Sequence, residues 1–241
     1  MDYREKFYAK YVTSNTLPLY GRLSIKDIKR QFTIWNKYFY KFLPKDKQAS
    51  VIEVGCGNGG LIYWLHSIGY VNSSGIDASL EQVEYAKSLG IEKVSQADLT
   101  VFLKDKIESY DVIFMRDVIE HFNKNEIIDI LDMTNRALKK GGALIIQTPN
   151  GAGIFGSRYR YHDFTHEISF AENSLRQILI MNNFSGLKFY ETKPVISGIK
   201  SFIRVVLWKL LRLGLQFYLL VETGSSENIL TQNIIVAGYK K

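Results

Sequence analysis

Three of the four histidines in this 241-residue chain lie in two short segments that also carry carboxylates. A histidine with a pKa of about 6.5 can be neutral at cellular pH and can accept a proton from a hydroxyl group. His166 is the first candidate for such a general base, with Asp163 or Glu167 as the side chain that orients it. His121 is a second catalytic candidate. The alternative role for His166 is a hydrogen bond that holds its loop.

Residues 162–167 contain two histidines and two carboxylates, so binding of a divalent metal is another use for these side chains. His162, close to His166, would then be a ligand. The sequence shows no clear ligand set around this pair. We therefore expect a protein that needs no metal.

A glycine-rich turn, residues 55–60, follows a short apolar strand predicted at 50–54. Glycine lets the backbone turn sharply and approach a ligand without a Cβ atom in the way. The helix that follows offers free backbone N–H groups to an anionic part of a ligand. Gly55, Gly57 and Gly60 also satisfy the G-x-G-x-x-G pattern of dinucleotide-binding proteins, so the turn alone leaves the cofactor open.

Three carboxylates at successive strand ends separate these alternatives. Glu53 lies inside the first strand, where a dinucleotide site usually has an apolar residue. Asp77 ends the second strand and could accept from a ribose diol of either cofactor. Asp98 follows the third strand, where a carboxylate could accept from an adenine amino group. Together they favour S-adenosylmethionine (SAM) over a nicotinamide dinucleotide.

The elements that must position these residues alternate along the chain. An amphipathic helix is predicted over 24–43, capped by Ser24 and stopped by Pro44. A later helix begins at Asn123 and is expected to run to Lys140, where Gly141 ends it. The remaining predictions are strands at 50–54, 73–76, 93–97, 110–115, 143–147, 187–191 and 229–238, and helices at 60–68, 80–88 and 171–182. This alternation predicts an α/β fold, with a mostly parallel sheet and helices on both faces.

Residues 50–149 resemble a class I SAM-dependent methyltransferase of the broad small-molecule kind. The resemblance rests on the motifs Val-Ile-Glu-Val-Gly-Cys-Gly-Asn-Gly, Gly-Ile-Asp-Ala-Ser, Ala-Asp-Leu, Asp-Val-Ile-Glu-His-Phe and Leu-Lys-Lys-Gly-Gly-Ala-Leu-Ile-Ile. It implies a Rossmann-like sheet of seven strands with the last antiparallel, SAM as the cofactor and S-adenosylhomocysteine as the product. The cofactor contacts that it implies are Glu53, Gly55, Cys56, Gly57 and Gly59 at the methionine end, Asp77 with Ala78 at the ribose, Asp98 with Leu99 near the adenine, and Met115, Arg116 and Asp117 along the other side.

The segment 150–170 is rich in glycine, arginine, tyrosine and histidine and shows no periodicity. A loop of this length in a compact domain is usually functional. Its Asp-Phe-Thr-His-Glu stretch, residues 163–167, resembles that of bacterial methyltransferases that modify sugars of capsules, O-antigens and other surface glycans. This resemblance implies O-methylation of a sugar hydroxyl. The substrate contacts that we predict are Arg158, Arg160, Tyr161, His162 and Glu167.

Arg158 and Arg160 also bear on the charge of the substrate, because an arginine fork matches phosphate oxygens. We therefore expect an anionic sugar, phosphorylated or linked to a nucleotide. The alternatives are methylation of a quinone, lipid precursor or other small metabolite, methylation of RNA, and a dehydrogenase. RNA is disfavoured, because the sequence has neither an added RNA-binding module nor the Asn/Asp-Pro-Pro-Tyr motif of amino-nitrogen methylation.

The net charge of +7 is unevenly distributed. Residues 1–50 carry 11 basic and 4 acidic side chains, residues 51–150 carry 9 and 14, and residues 151–241 carry 11 and 6. The basic flanks favour an anionic ligand or an acidic membrane face. Three basic residues interrupt the apolar segment 201–221, and each would cost about 2.5–3.5 kcal/mol near a membrane centre. We expect no transmembrane span there but a packed helix or homodimer interface, with peripheral membrane contact as the alternative.

The whole chain is expected to form one methyltransferase domain. It would comprise an N-terminal helical cap (1–49), a SAM-binding core (50–149), a substrate loop with C-terminal helices (150–228) and a final strand (229–241). The single cysteine excludes an internal disulfide, and the first five residues lack the apolar core of a signal peptide. A cytoplasmic location is therefore expected.

Overall fold

The structure, a computed structural model, describes residues 3–224 and 229–241. Within these ranges seven strands form one sheet in the order β3-β2-β1-β4-β5-β7-β6. The strand β7 pairs antiparallel with both neighbours, and every other pair is parallel. This confirms the predicted Rossmann-like sheet. The strands are β1 (Val51–Val54), β2 (Ser73–Asp77), β3 (Val94–Gln96), β4 (Tyr110–Arg116), β5 (Leu138–Pro149), β6 (Phe184–Glu191) and β7 (Asn233–Lys240).

Helices and short helical turns connect these strands. A π-helical turn (Val12–Thr16) follows the first helix, and 3-10 turns lie at Tyr40–Phe42 and Ile119–His121. The α-helices of the described chain are α1 (Tyr3–Tyr8), α2 (Leu17–Tyr20), α3 (Ile25–Tyr38), α4 (Gly60–Ser67), α5 (Leu80–Ser88), α6 (Leu99–Lys104), α7 (Lys124–Ala137), α8 (Gly156–Arg160), α9 (Glu172–Met181) and α10 (Ile199–Thr223).

Each face of the sheet buries its own apolar core. One core packs α6, α7 and α9 against the sheet, and the other packs α3, α4 and α5 against the opposite face. Helix side chains central to the first core are Leu103, Ile130, Leu131 and Leu179, and those central to the second are Trp35, Leu61, Trp64 and Ala86. The two-sided cover explains why β1 and β4 are mostly apolar, with Glu53 as a buried exception.

The predicted helix over 24–43 is shorter in the structure. Ser24 does cap it, in a reciprocal capping box with Asp27, but α3 ends at Tyr38 and a separate 3-10 turn follows. The change of direction brings two aromatic rings onto the sheet. Phe39 lies 5.5 Å from the ring of Phe114 on β4. The burial of aromatic surface therefore overrides helix continuation.

The predicted helix from Asn123 to Lys140 also ends early. Its capping box is present, with Asn123 accepting from the backbone of Glu126, but α7 stops at Ala137. Strand β5 begins at once, because Leu138 pairs with β4 and is fully buried. Lys139 forms a 2.7 Å ion pair with Asp111 and so lies in the strand, not at the negative end of a helix.

Smaller differences occur towards the C-terminus. Strand β6 begins three residues before the predicted position, and β7 begins at Asn233 because residues 229–231 bond to Asn150 instead. The predicted loop at 150–170 contains the short helix α8. Residues 225–228 of the predicted C-terminal helical segment lie outside the described residues.

Helix α10 differs most from its expected environment. It is 25 residues long and has no buried residue, although leucine and phenylalanine dominate it. None of the helices in the described residues is both long enough and apolar enough to cross a membrane. In the described chain α10 is therefore not packed into a core, because one side is only half-buried and the other is exposed. The predicted homodimer interface stays a prediction.

Candidate active site

The glycine-rich turn joins β1 to α4 at the carboxyl end of β1. Gly55, Gly57 and Gly59 have backbone φ values of +69°, +52° and +71°, which residues with a Cβ atom rarely adopt. A Cβ atom on Gly55 would lie 2.3 Å from Cγ2 of Val118. Asp77 Oδ2 accepts a 2.7 Å hydrogen bond from the N–H of Gly57, so the end of β2 holds the turn.

A cavity of about 840 Å³ lies beside this turn. Its size suits a nucleoside-containing cofactor. The wall is built from the carboxyl ends of β1 to β4, where open parallel sheets bind ligands. The predicted cofactor residues on this wall are Gly55, Gly57, Asp77, Ala78, Asp98, Leu99 and Asp117.

Backbone N–H groups hold two carboxylates on the cavity wall. Asp77 Oδ1 accepts from Ser79 at 2.9 Å. Asp98 caps α6, and its Oδ1 accepts from the N–H groups of Thr100 and Val101 at 2.8 and 3.0 Å. Both carboxylates can also accept from a ligand, and the ribose diol and adenine amino group of SAM are donors of the required kind.

Glu53 lies in β1, and its carboxylate is fully buried. Its Oε1 accepts from Nε and Nη2 of Arg116 at 2.6 and 2.5 Å. Its Oε2 has no hydrogen-bond partner among the described residues. Burial raises the pKa of Glu53 to about 7, and Arg116 opposes this rise. An unpaired buried oxygen near the turn fits a ligand that brings an amino group, as SAM does.

Some predicted cofactor residues shape the site without lining the cavity. Met115 is fully buried in the core, and Cys56 contacts the backbone of Gly75. A Cβ atom on Gly59 would meet Ile91 at 2.9 Å, so this glycine allows close packing of the turn. The residues off the cavity wall are Glu53, Cys56, Gly59, Met115 and Arg116.

A second cavity of about 1030 Å³ meets the first at Asp117, which lines both. Arg116 and Gln147 line it from the ends of β4 and β5, and α10 contributes Trp208 and Leu211. Asp117 has a φ of +54°, and its Oδ2 accepts a 3.0 Å bond from the Gln147 amide. Strained backbone of this kind is typical of functional sites. An acceptor in the second cavity would meet the cofactor at this junction.

His121 and His166 contact each other edge to face, with ring centroids 4.7 Å apart. His166 Nδ1 lies 3.0 Å from the carbonyl oxygen of Tyr159. Because a carbonyl only accepts, Nδ1 carries the proton and the lone pair of the neutral ring lies on Nε2. Burial lowers the pKa of His166 below its ordinary value. The group that orients His166 is therefore the Tyr159 carbonyl. The prediction that Asp163 or Glu167 orients this ring is wrong.

Asp163 acts on His121 through Thr165. Asp163 Oδ1 accepts from Thr165 Oγ1 at 2.7 Å, and that oxygen lies 2.8 Å from His121 Nδ1. Burial disfavours the charge of Asp163, but hydrogen bonds from Tyr11 and Thr165 outweigh it and lower the pKa. The hydroxyl of Thr165 donates its single hydrogen to the ionised carboxylate. His121 Nδ1 must therefore donate to Thr165 Oγ1, and the lone pair of the ring lies on Nε2.

Both histidines are neutral at neutral pH. Burial, followed by the neighbouring His166, lowers the pKa of His121 to about 4, and Asp163 opposes this shift in part. The structure thus brings two of the three predicted catalytic residues into contact and makes Asp163 a positioning residue. His121 also lines the cofactor cavity.

Glu120 joins this pair, although the sequence analysis assigned it no role of its own. Its Oε2 accepts a 2.9 Å bond from Thr148, and its buried Oε1 has no partner among the described residues. Burial raises the pKa of Glu120 well above its ordinary value. Its position next to His121 in the Asp-Val-Ile-Glu-His motif is the sequence signal that could have singled it out.

The predicted substrate residues of the loop are not brought to either cavity. Arg160 donates to the backbone carbonyls of His166 and Glu167, so it stabilises the loop. The Glu167 carboxylate accepts from the hydroxyl of Tyr3. The predicted substrate residues that are exposed are Arg158, Tyr161, His162 and Glu167. The structure gives no support to a phosphate site at Arg158 and Arg160.

Comparison with known proteins decides the family. A family model described as a methyltransferase domain matches residues 28–188, which is more than half of the chain. The chain belongs to this methyltransferase family.

Several solved structures share the fold of this methyltransferase. A SAM-dependent methyltransferase from Archaeoglobus fulgidus has a TM-score of 0.65 and 19% identity, and the match covers 88% of this chain and 94% of that one. Phosphoethanolamine N-methyltransferase 2 from Haemonchus contortus, solved with SAM, has a TM-score of 0.60 and 14% identity over 97% of this chain and 60% of that one. At these identities the likeness shows the fold alone.

Curated relatives match less of the methyltransferase. A ubiquinone biosynthesis O-methyltransferase of Brucella melitensis is 30% identical over 120 residues, 45% of this chain and 46% of that protein. A tRNA U34 carboxymethyltransferase of Vibrio vulnificus is 32% identical over 47% of this chain and 36% of its own length. The chain thus matches less than half the length of these relatives.

The N-terminal helices of the methyltransferase cover the cofactor cavity, which the sequence analysis did not predict. Arg4, Tyr8 and Tyr11 line it. Arg4 donates to both carboxylate oxygens of Glu126 at 2.9 and 2.6 Å, and the Tyr11 hydroxyl donates to Asp163 at 2.6 Å. Aromatic residues that recur every three or four positions between residues 3 and 11 were the available signal.

We predict that Gly55→Ala prevents the methyltransferase from binding SAM normally. The added Cβ atom would collide with Val118 and displace the turn, so the Kd for SAM should rise at least about tenfold. Isothermal titration calorimetry with SAM and S-adenosylhomocysteine measures this change.

The matched control is Gly90→Ala. Gly90 has a φ of +78°, but no atom lies within 4 Å of the position that a Cβ atom would take there, so the substitution introduces the same backbone strain without the collision. Its Kd should stay within about twofold of the unmodified protein. Equal affinities of the two variants would show that the turn does not form the cofactor site.

Proposed function

We propose that this methyltransferase transfers the methyl group of SAM to a hydroxyl oxygen of a small molecule in the second cavity. The observation that carries the proposal is the contact between His121, on the cofactor wall, and His166, whose Nε2 is an unprotonated acceptor. A hydroxyl is a poor nucleophile until its proton leaves. A base beside the cofactor can accept this proton, and the histidine pair provides one.

The residues have separate tasks in this reaction. SAM supplies a methyl group that its sulfonium has already activated, so alignment of the oxygen provides much of the acceleration. His166 Nε2 takes the hydroxyl proton as the oxygen–carbon bond forms. The Tyr159 carbonyl, already bonded to Nδ1–H, stabilises the positive charge that the ring then acquires.

A sugar hydroxyl is the first candidate acceptor. Amide side chains that match a polyhydroxylated ligand occur on the wall of the second cavity, and the resemblance of residues 163–167 to glycan-modifying enzymes points the same way. The amide residues on this wall are Gln31, Asn58, Gln147, Gln232 and Asn233.

A phenolic hydroxyl of a quinone precursor is the second candidate. Relatives with this reaction in their names are O-methyltransferases of ubiquinone biosynthesis. The second cavity also has an apolar side, which would suit a ring with a hydrocarbon tail. That side is formed by Trp35, Phe155, Trp208, Leu211 and Leu215.

Methyl-labelled SAM distinguishes these acceptors. Incubation with sugar nucleotides, lipid-linked sugars, polyprenylated dihydroxyphenols and tRNA, followed by mass spectrometry, locates the transferred methyl group. A methyl group on a hydroxyl oxygen of a sugar or phenol is expected. Transfer to nitrogen or to tRNA would overturn the proposal.

We predict that His166→Ala lowers kcat by at least about a hundredfold while the Kd for SAM changes little. The fourth histidine, His66, provides the control, because it lies on α4, where its Nε2 contacts the Ser73 carbonyl. His66→Gln should retain full kcat. Comparable losses in the two variants, or full activity of His166→Ala, would remove His166 from the reaction.

We also propose that α10 lies on an anionic membrane surface. Its half-buried side includes Arg212 and Gln216, which bond to each other at 2.9 Å, whereas its leucines face outward, with Leu210 61% and Leu213 64% exposed. Basic residues at positions 200, 204 and 209 are exposed on the same helix. Apolar side chains flanked by basic ones suit a surface of acidic lipids.

Vesicle flotation tests this surface. The protein should float with vesicles containing phosphatidylglycerol and much less with pure phosphatidylcholine, and Lys200→Glu/Lys209→Glu should abolish flotation. The control Lys87→Glu/Lys104→Glu makes the same charge change at exposed sites on α5 and α6. Absence of flotation, or a dimer that covers α10 in solution, would contradict the proposal.

A further inference from the structure

Three groups from two distant parts of the chain converge beside the cofactor cavity. Glu120, His121 and His166 each offer one ligand atom, and these atoms all lie within 4.8 Å of one another. We call them the Glu-His-His cluster. Glu120 and His121 are buried, and His166 is half-buried.

The hydrogen bonds around the cluster leave each of its three members with one acceptor atom. His166 Nδ1 donates to Tyr159, and His121 Nδ1 donates to Thr165, so each ring keeps its lone pair on Nε2. Glu120 Oε1 is buried and has no hydrogen-bond partner among the described residues. An unpaired buried carboxylate oxygen is costly, and two imidazole lone pairs cannot donate to it. A proton held between these atoms satisfies two of them, whereas a cation satisfies all three.

Each member of the cluster is also oriented by a hydrogen bond to a neighbouring residue. Thr148 donates to the other oxygen of Glu120, the Tyr159 carbonyl fixes one ring, and Thr165 fixes the other. The hydroxyl of Thr165 is itself held by Asp163, to which it donates at 2.7 Å. Histidines that bind metals almost always donate their second N–H to a backbone carbonyl or another polar group in this way.

We propose that the Glu-His-His cluster binds one divalent transition-metal ion through Glu120 Oε1, His121 Nε2 and His166 Nε2. Two imidazoles and one carboxylate suit Zn²⁺, Fe²⁺, Co²⁺ or Mn²⁺, and three protein ligands leave positions open for an exogenous oxygen. The prediction that no metal is needed rested on residues 162–167, which by themselves contain no clear ligand set. His162 is exposed and takes no part in the cluster.

The chemical role of the metal rests on the proposed function. A metal ion here would coordinate the acceptor hydroxyl and lower its pKa, so the proton leaves to solvent as the oxygen–methyl bond forms and the sulfur–methyl bond breaks. His166 is then a ligand, and its role as the base applies to the metal-free site. Vicinal hydroxyls, present in sugars and dihydroxyphenols, could fill two open positions.

Metal binding can be measured without methyl transfer. The chelator-treated protein is titrated with Co²⁺, followed by visible absorption, and with Zn²⁺, followed by calorimetry. One ion per chain is expected. Glu120→Gln, which keeps the side-chain shape, and His166→Ala should each weaken binding at least about tenfold. His162→Ala is the matched control and should bind normally.

The outcomes separate the two proposals. SAM binding by calorimetry and the melting temperature show that Glu120→Gln is folded. Absence of binding, or equal binding by Glu120→Gln and the unmodified protein, overturns the metal site. O-methylation that continues unchanged in chelator leaves the proposed function intact and also overturns the metal role. Stoichiometric binding that requires Glu120 and His166 supports the site even if no hydroxyl acceptor is methylated.

Discussion

The site depends on the hydrogen bonds that the buried carboxylate of Asp163 accepts. It accepts from Tyr11 at 2.6 Å, from Asn15 at 2.9 Å, and from the backbone and hydroxyl of Thr165 at 2.8 and 2.7 Å. These donors outweigh the cost of burial and keep the group ionised. One charge thereby ties the N-terminal cap to the substrate loop and, through Thr165, sets which nitrogen of His121 carries a proton.

The buried carboxylates near the cofactor differ in how well they are paired, and the difference follows their roles. Asp163 has four donors and is structural. Glu53 has one arginine, a pKa of about 7 and one unpaired oxygen near the glycine turn. Glu120 has one threonine and an unpaired oxygen beside two histidines. Because unpaired buried oxygens are costly, the two that persist mark where ligands complete the structure.

Local patterns predicted the sheet, the glycine turn and the carboxylates Asp77 and Asp98, because each depends on residues near one another in sequence. The patterns could not show that the cap covers the cavity or that Arg160 serves backbone carbonyls. They also could not bring Glu120 to His166, which lies more than 40 positions away. Such pairings are fixed by tertiary packing. Lys139 is a further example. Its charge favours the end of a helix, but the pairing of β5 with β4 places it in a strand.

Helix α10 has a half-buried side that combines a charged residue with apolar ones. Arg212, which bonds to Glu191 at 3.2 Å, lies there with Trp208 and Leu215, while Leu210 and Leu213 on the other side are exposed. Burying those leucines against the sheet would have left the arginine exposed, so this ion pair favours the observed orientation. The same helix supplies Trp208 and Leu211 to the second cavity. Whatever covers the outer face of α10 therefore also borders the cavity in which the acceptor would meet the cofactor.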